Sequence, residues 1–203
     1  MIYEFKLSHQ DVFLQKTVLD FDVSMWEILA GLLYGATIVF LKNGQESNIG
    51  RILNLCINDK ITICHFVPTF LDEFLSFAEI RDAVQSLNDL RYIISSGESL
   101  PYKTVERFDQ LFSRTNTQLW NLYGTTEATI DVTFFNCTHY YNPQKIVPIG
   151  KPIWNTKIYI LDENKQLCEQ MQPGEIYIAG ENVGKGYINN QTLTDKYFCG
   201  IYF

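Results

Sequence analysis

The sequence predicts an α/β fold: mostly parallel sheets in layers, flanked by helices, with a β-rich C-terminal part. Two observations predict it. Short, uniformly apolar runs alternate with amphipathic helical patterns through residue 140, which is typical of parallel strands covered on both faces. After that residue, apolar and polar positions alternate around turn signals, as in antiparallel strands. We therefore predict an α/β part over residues 1–140 and a β-rich part over residues 141–203.

The first helix is predicted by a capping box, in which Ser24 and Glu27 satisfy each other's backbone donors. This helix would end near Gly35, and residues 36–41 would follow as a buried strand. The apolar face of residues 49–56 predicts a second helix, and Pro101 starts a third. Further buried strands are predicted at residues 61–66, which Pro68 ends, and at residues 91–95 and 119–122. Antiparallel strands are predicted at residues 157–162 and 175–179.

Composition excludes several function classes. The chain has 203 residues with 23 Asp and Glu against 16 Lys and Arg, and a formal net charge of -7. Without a basic run, nucleic acid is not an expected partner. The longest apolar run is too short to span a bilayer and no signal peptide is found, so we expect no membrane association. Five dispersed cysteines fit reduced thiols, so we expect a cytoplasmic protein.

Three polar segments follow apolar strands at the edge where doubly wound sheets bind ligands. They are the region around His65, residues 95–101 and residues 121–127. In the last of them, Gly124 would allow a ligand close to the backbone, and the hydroxyls of Thr125 and Thr126 suit phosphate oxygens. Tyr123 offers a face for a base, and Glu127 an oxygen ligand for Mg²⁺. Each residue taken alone is equally consistent with a turn glycine, a cap, a core tyrosine or a surface carboxylate.

The order of motifs is more specific than any one of them. The segments FDVSMWEILAGLLYGA, SSGESLP, NLYGTTEATID and VPIGKPIWNTKIYILDENKQLCEQMQPGEIYIAGENVGKGYINNQTLTDKYF occur in this order. In sequence and spacing they resemble successive core motifs of the adenylation domains of nonribosomal peptide synthetases. Their superfamily also contains acyl-CoA ligases and luciferases. The resemblance implies part of the large N-terminal lobe of an adenylate-forming enzyme, to which both predicted parts of the chain would belong.

The resemblance implies a reaction and its cofactors. An amino acid, ATP and Mg²⁺ would give an aminoacyl-AMP, and the acyl group would pass to a phosphopantetheine thiol on a peptidyl carrier protein. Other synthetase modules would be further partners. By matching positions, Asn121 would bind the adenine edge, Tyr123 would stack on the ring, and Thr126 would meet the α-phosphate. Glu127 would hold the metal. The remaining nucleotide positions would be Gly97, Glu98, Gly124 and Thr125.

The same resemblance implies an amino-acid pocket. Asp22 matches the aspartate that pairs with the substrate ammonium group, which a plain carboxylic acid would not need. The rest of the pocket wall would be Val23, Trp26, His65, Ile94, Ser96, Leu122, Ile130 and Asp131. With Asp22, this set resembles the pattern that the family associates with serine. The chemistry is consistent with that pattern, because bulky residues would narrow the pocket and His65, Ser96 and Asp131 would offer hydrogen bonds to a hydroxyl. Otherwise Asp22 would be a loop carboxylate and His65 a core histidine.

Some family elements do not occur among the 203 residues. These are the glycine- and threonine-rich phosphate loop expected before Asp22, the ribose-binding aspartate expected after Phe198, and the C-terminal lobe with its catalytic lysine. We therefore expect an incomplete adenylation domain that does not turn over by itself, with no complete catalytic set. A non-catalytic remnant or binding module is one alternative, and a fragment of an acyl-CoA ligase is another.

Overall fold

The computed structural model describes residues 2–200, with side chains from Glu4 onward. Met1 and residues 201–203, the outer ends of the two predicted parts, lie outside it. The strands are β1 Val12–Gln15, β2 Thr37–Phe40, β3 Ile63–Phe66, β4 Tyr92–Ser95, β5 Gln118–Tyr123, β6 Thr133–Asn136, β7 Lys151–Pro152, β8 Thr156–Leu161 and β9 Glu175–Gly180. The helices are α1 Ile2–Phe5, α2 Val23–Leu33, α3 Ile49–Asn58, α4 Pro68–Ile80, α5 Tyr102–Phe112 and α6 Gln191–Tyr197.

A seven-stranded sheet in the order β2-β1-β3-β4-β5-β6-β7 forms the centre of the fold. Strands β1 to β5 are parallel to one another. Strand β6 pairs antiparallel with both β5 and β7. The separate pair β8 and β9 is antiparallel. The predicted fold class, mostly parallel sheet with flanking helices and a β-rich C-terminal part, is confirmed. Since β7 joins the large sheet beyond residue 140, the division into 1–140 and 141–203 stays a prediction.

Side-chain alternation along the strands directs residues to the two faces of the sheet. In β3, Cys64 and Phe66 join a large core with α3, α4 and α5. Ile63 points the other way, into a smaller core with Phe13, Ile94 and Trp120, where Trp26 from α2 also packs. Because His65 alternates with Cys64 and Phe66, it lies on the face that α2 covers. The candidate site is therefore built on this second face.

The predicted capping box is wrong. The hydroxyl of Ser24 is buried and finds no hydrogen-bond partner in the described part of the chain. Glu27 instead turns to the segment after β1, where it accepts hydrogen bonds from the backbone N–H groups of Lys16 (3.2 Å) and Thr17 (3.0 Å). The hydroxyl of Thr17 donates to its second oxygen at 2.8 Å. Spacing alone could not distinguish a local cap from this contact across the fold.

The other predicted elements occur within a few residues of their expected bounds, with one further correction. The strand at residues 36–41 was expected to be buried, but β2 lies at the edge of the sheet, and Phe40 is 63% exposed. Pro68 does end a strand, yet it also begins α4, which the sequence did not predict. Within residues 2–200 no helix is long and apolar enough to cross a membrane.

Candidate functional site

Three buried polar side chains meet at the carboxyl ends of neighbouring strands. His65 comes from β3, Ser96 follows β4, and Asp131 lies on the return from β5 to β6. The Nε2 atom of His65 and the Oγ atom of Ser96 are 2.8 Å apart. The side chain of Ser96 also lies close enough to Asp131 to lower the pKa of its carboxyl group against the larger effect of burial. The structure therefore brings these three predicted pocket residues together, although they lie far apart in sequence.

Asp22 lies at the N-terminus of α2, and its carboxylate does not cap the helix. The side chain is half-buried, and its negative charge contributes to raising the pKa of Asp131. Asp22 therefore lies near Asp131, as expected if both belong to the predicted pocket.

Apolar residues enclose this polar group. The ring centroid of Trp26 lies 6.5 Å from that of His65. Ile94 and Leu122 are buried in the same hydrophobic core against which Trp26 packs. Val23 and Ile130, the last two predicted wall residues, are half-buried. The polar group therefore lies against apolar side chains from α2, β4 and β5.

Burial determines the protonation states of His65 and Asp131, the two titratable side chains of this polar group. It lowers the pKa of His65 to about 3, so the imidazole is neutral near pH 7. It raises the pKa of Asp131 to about 7, and the nearby side chain of Ser96 only partly offsets this effect. Near neutral pH, Asp131 therefore exists in both protonated and ionised forms and can either donate or accept a hydrogen bond.

Asp131→Asn is expected to gain stability relative to the wild type as the pH rises. The folded-state pKa of Asp131 is about 7 against an ordinary value of 3.8, so between these values only the folded state keeps the proton. The free energy of unfolding of the wild type then falls by up to about 1.4 kcal/mol per pH unit. Urea unfolding of both proteins at pH 5 and pH 7 should show a change of about 2 kcal/mol in their difference. A constant difference would show that Asp131 ionises normally.

A second group of predicted residues lies around a separate cavity of about 650 Å³. Tyr123, Thr125 and Glu127 line it together with residues of β9 and the neighbourhood of α6. The remaining predicted nucleotide residues are not part of this lining. Asn121 is buried and donates to the Pro148 carbonyl at 2.8 Å.

Thr126 is exposed at the start of the short 3₁₀ turn Thr126–Ala128. Gly97 and Glu98 lie on the exposed loop after β4. Gly97 adopts the left-handed backbone conformation, with φ at 86°. The carboxylate of Glu98 accepts a hydrogen bond from the hydroxyl of Thr69 at 2.8 Å. In this structure these residues therefore contact their own chain and solvent rather than the cavity.

Gly124 allows a close contact within the chain. A Cβ at this position would lie 1.9 Å from the carbonyl oxygen of Ile130 and 2.5 Å from the Cα of Asp131. The close approach is therefore made by the chain itself. It occurs where Ile130 adopts a φ of 75°, an unusual conformation for a β-branched residue. The contact fixes the turn that carries Asp131.

Two residues of the site were missed from the sequence. Glu27 anchors the segment that leads to Asp22, whereas its spacing from Ser24 indicated only a local helix cap. Tyr187 donates its hydroxyl to Glu127 across 60 residues, and no local pattern indicates this contact. The hydrogen bond lowers the pKa of Glu127 and, together with some burial, raises the pKa of Tyr187 to about 12.

Glu127 stands alone as a candidate metal ligand. Across residues 2–200 no cluster of three or more His, Cys, Asp or Glu side chains could hold an ion. Mg²⁺ is often bound through one or two carboxylates, with substrate phosphates and water completing its coordination. A single carboxylate beside a cavity of about 650 Å³ fits a cation that arrives with a nucleotide.

Known proteins match the chain along nearly its whole length. The family model described as AMP-binding enzyme matches residues 1–188. Among curated proteins, a mycosubtilin synthase protein of Bacillus subtilis is 40% identical over 96% of this chain. Zwittermicin A synthase ZmaJ of Bacillus cereus is 35% identical over 96%. The chain spans 8% and 37% of these two relatives, respectively.

Solved structures agree with the fold. The nonribosomal peptide synthetase FmoA3 (S1046A) superposes with a TM-score of 0.87 at 26% identity, covering 97% of this chain and 21% of that one. Holo-PA1221, a protein containing adenylation and PCP domains, superposes with a TM-score of 0.84 at 25% identity. The match covers 97% of this chain and 33% of holo-PA1221.

Proposed function

Because the chain belongs to the AMP-binding enzymes, among the adenylation domains of nonribosomal peptide synthetases, we propose that it recognises L-serine for activation as an aminoacyl-AMP. The observation that carries the choice of serine is the group of His65, Ser96 and Asp131 beside Asp22, in which His65 and Ser96 are hydrogen-bonded to each other. A hydroxyl is the substrate group that such a set of side chains would bind.

In this proposal Asp22 receives the substrate ammonium group. A cation in a half-enclosed pocket needs an opposite charge close by, because the lost hydration is otherwise uncompensated. Trp26, Ile94 and Leu122 limit the length of the side chain that fits. The neutral imidazole of His65 and the hydroxyl of Ser96 form one wall, and Asp131 can accept the hydrogen bond of a serine hydroxyl. Alanine would leave these polar groups unpaired, so it should bind poorly.

The nucleotide is proposed to bind towards the cavity lined by Tyr123, Thr125 and Glu127. Glu127 would hold Mg²⁺, which would supply charge neutralisation at the phosphates when bound. The residues of this chain would bind and orient the two substrates. In the longer parent protein the acyl group would pass to a phosphopantetheine thiol on a carrier protein. All five cysteines are free, which supports a reducing compartment such as the cytoplasm.

Asp22→Asn is expected to weaken binding of a non-hydrolysable seryl-adenylate analogue by about 100-fold, because an amide cannot neutralise the buried ammonium group. Isothermal titration calorimetry on the 203-residue chain would measure the affinity. Asp20→Asn is the matched control, since it removes the same charge from an exposed position in the same loop.

The ligand can be varied as well as the protein. The alanyl analogue should bind much more weakly than the seryl analogue to the wild type. Equal affinity for the two analogues would disprove serine selectivity. Unchanged affinity of Asp22→Asn for the seryl analogue would contradict the proposed amino-acid pocket and favour a fragment of an acyl-CoA ligase. A folded chain that binds neither analogue would favour a non-catalytic remnant.

A further inference from the structure

The candidate metal ligand Glu127 is held by a segment that lies far along the chain. The hydroxyl of Tyr187 donates to Oε1 of Glu127. The backbone N–H of Gly184 donates to the carbonyl of the same glutamate at 2.7 Å. Both the side chain and the backbone of Glu127 are therefore fixed by residues 182–187, which follow β9.

Two further contacts fasten the same segment to the turn. The Nδ2 atom of Asn182 donates to the carbonyl of Ala128 at 3.0 Å, and the hydroxyl of Thr129 donates to the carbonyl of Asn182 at 2.6 Å. Residues 127–129 and 182–187 thus form one hydrogen-bonded unit. The carboxylate of Glu127 cannot turn freely while this unit is intact.

Tyr187 is itself held in place. Its backbone N–H donates to the hydroxyl of Thr194 at 2.8 Å. Its ring meets the rings of Phe198 and Tyr197 edge-on, with centroids 5.6 Å and 6.3 Å away. The ring is thus positioned independently of its hydroxyl, so removing the hydroxyl alone should leave these packing contacts in place.

We propose that Tyr187 is a positioning residue for the metal-binding carboxylate, an inference that rests on the proposed function. Its hydroxyl donates to Oε1 of Glu127, and the second oxygen, Oε2, is the one that would bind the cation carried by the nucleotide. Hydrogen bonds to metal-ligating groups fix their orientation, and their loss commonly costs about 10- to 100-fold in metal affinity. The β-rich part of the chain would thereby contribute to the nucleotide site through a residue that does not itself touch the metal.

The test compares Mn²⁺ binding in the presence of ATP for the wild type and Tyr187→Phe, measured by electron paramagnetic resonance on the full chain. We expect binding about 10-fold weaker in Tyr187→Phe. Affinity for the metal-free seryl-adenylate analogue should be unchanged, which a general loss of structure would not produce. Tyr177→Phe is the matched control, because its hydroxyl donates to Glu175 at 3.2 Å in the lining of the same cavity.

The outcomes separate this inference from the proposed function. Equal or tighter Mn²⁺ binding by Tyr187→Phe would overturn the positioning role, and tighter binding would show that the hydroxyl competes with the cation. A wild type that binds the seryl analogue but not Mn²⁺ with ATP would overturn the metal role of Glu127, and this inference with it, while leaving serine recognition intact. A folded wild type that binds neither would overturn both.

Discussion

Gly124→Ala is expected to lower the free energy of unfolding by at least about 3 kcal/mol. The new methyl group would lie 1.9 Å from the carbonyl oxygen of Ile130, and its three nearest atoms all belong to the backbone. A flexible side chain could move aside, but here the turn between β5 and β6 must itself shift. That movement would displace Asp131, whose Cα lies 2.5 Å from the added atom.

Chemical denaturation followed by circular dichroism would measure this loss. Gly50→Ala is the matched control, because a Cβ there would meet the ring edge of Phe77 at 3.4 Å and Oδ1 of Asn48 at 3.6 Å, which are side-chain atoms at ordinary contact distances. Gly50 lies inside α3, where alanine is favoured over glycine by about 0.5–1 kcal/mol, so this variant should be slightly more stable than the wild type. A Gly124→Ala protein within about 1 kcal/mol of the wild type would show that the turn adapts easily.

Glu27→Ala is expected to destabilise the fold by about 3–5 kcal/mol, a loss typical of breaking a buried charged network. The side chain of Glu27 is 1% exposed, and it accepts hydrogen bonds from two backbone N–H groups and from the hydroxyl of Thr17. Alanine would leave these donors without an acceptor. Burial lowers the pKa of the Lys16 ammonium group, and the nearby carboxylate of Glu27 partly offsets this effect. Alanine would remove that compensating charge as well.

Glu27→Gln keeps the shape of the side chain and removes its charge, so the same unfolding measurement distinguishes the two contributions. The amide oxygen can still accept from Lys16 and Thr17, and the amide N–H can donate to the hydroxyl of Thr17. Most of the stability should therefore return. Equal losses in the alanine and glutamine variants would show that charge, rather than hydrogen bonding, holds the segment after β1.

The central strands could be predicted because their sequences carry the signal locally. Residues 61–66, 91–95 and 119–122 are apolar runs between polar or turn residues, and a strand buried on both faces requires such a run. Strand β1 was missed because its four residues include Gln15 and are followed by Lys16. Helix α4 was missed because Pro68 can equally end a strand or begin a helix.

The pocket could be predicted in part for a similar reason. Ligand-facing residues follow strand ends, and motif resemblance identified which of them to group. What the sequence could not indicate are contacts between distant segments. The spacing of Ser24 and Glu27 matches a local cap, whereas the folded protein uses Glu27 across a loop. The contact of Tyr187 with Glu127 depends on where β9 and its following segment lie, which no local pattern specifies.

Residues 124–131, which connect β5 to β6, carry residues of both proposed binding sites. This stretch carries the carboxylate proposed for the nucleotide's cation and the carboxylate proposed for the substrate hydroxyl, and the contact of Gly124 with Ile130 locks them into one shape. A recombination junction between related synthetases placed inside this stretch would therefore disturb the positions of both carboxylates at once.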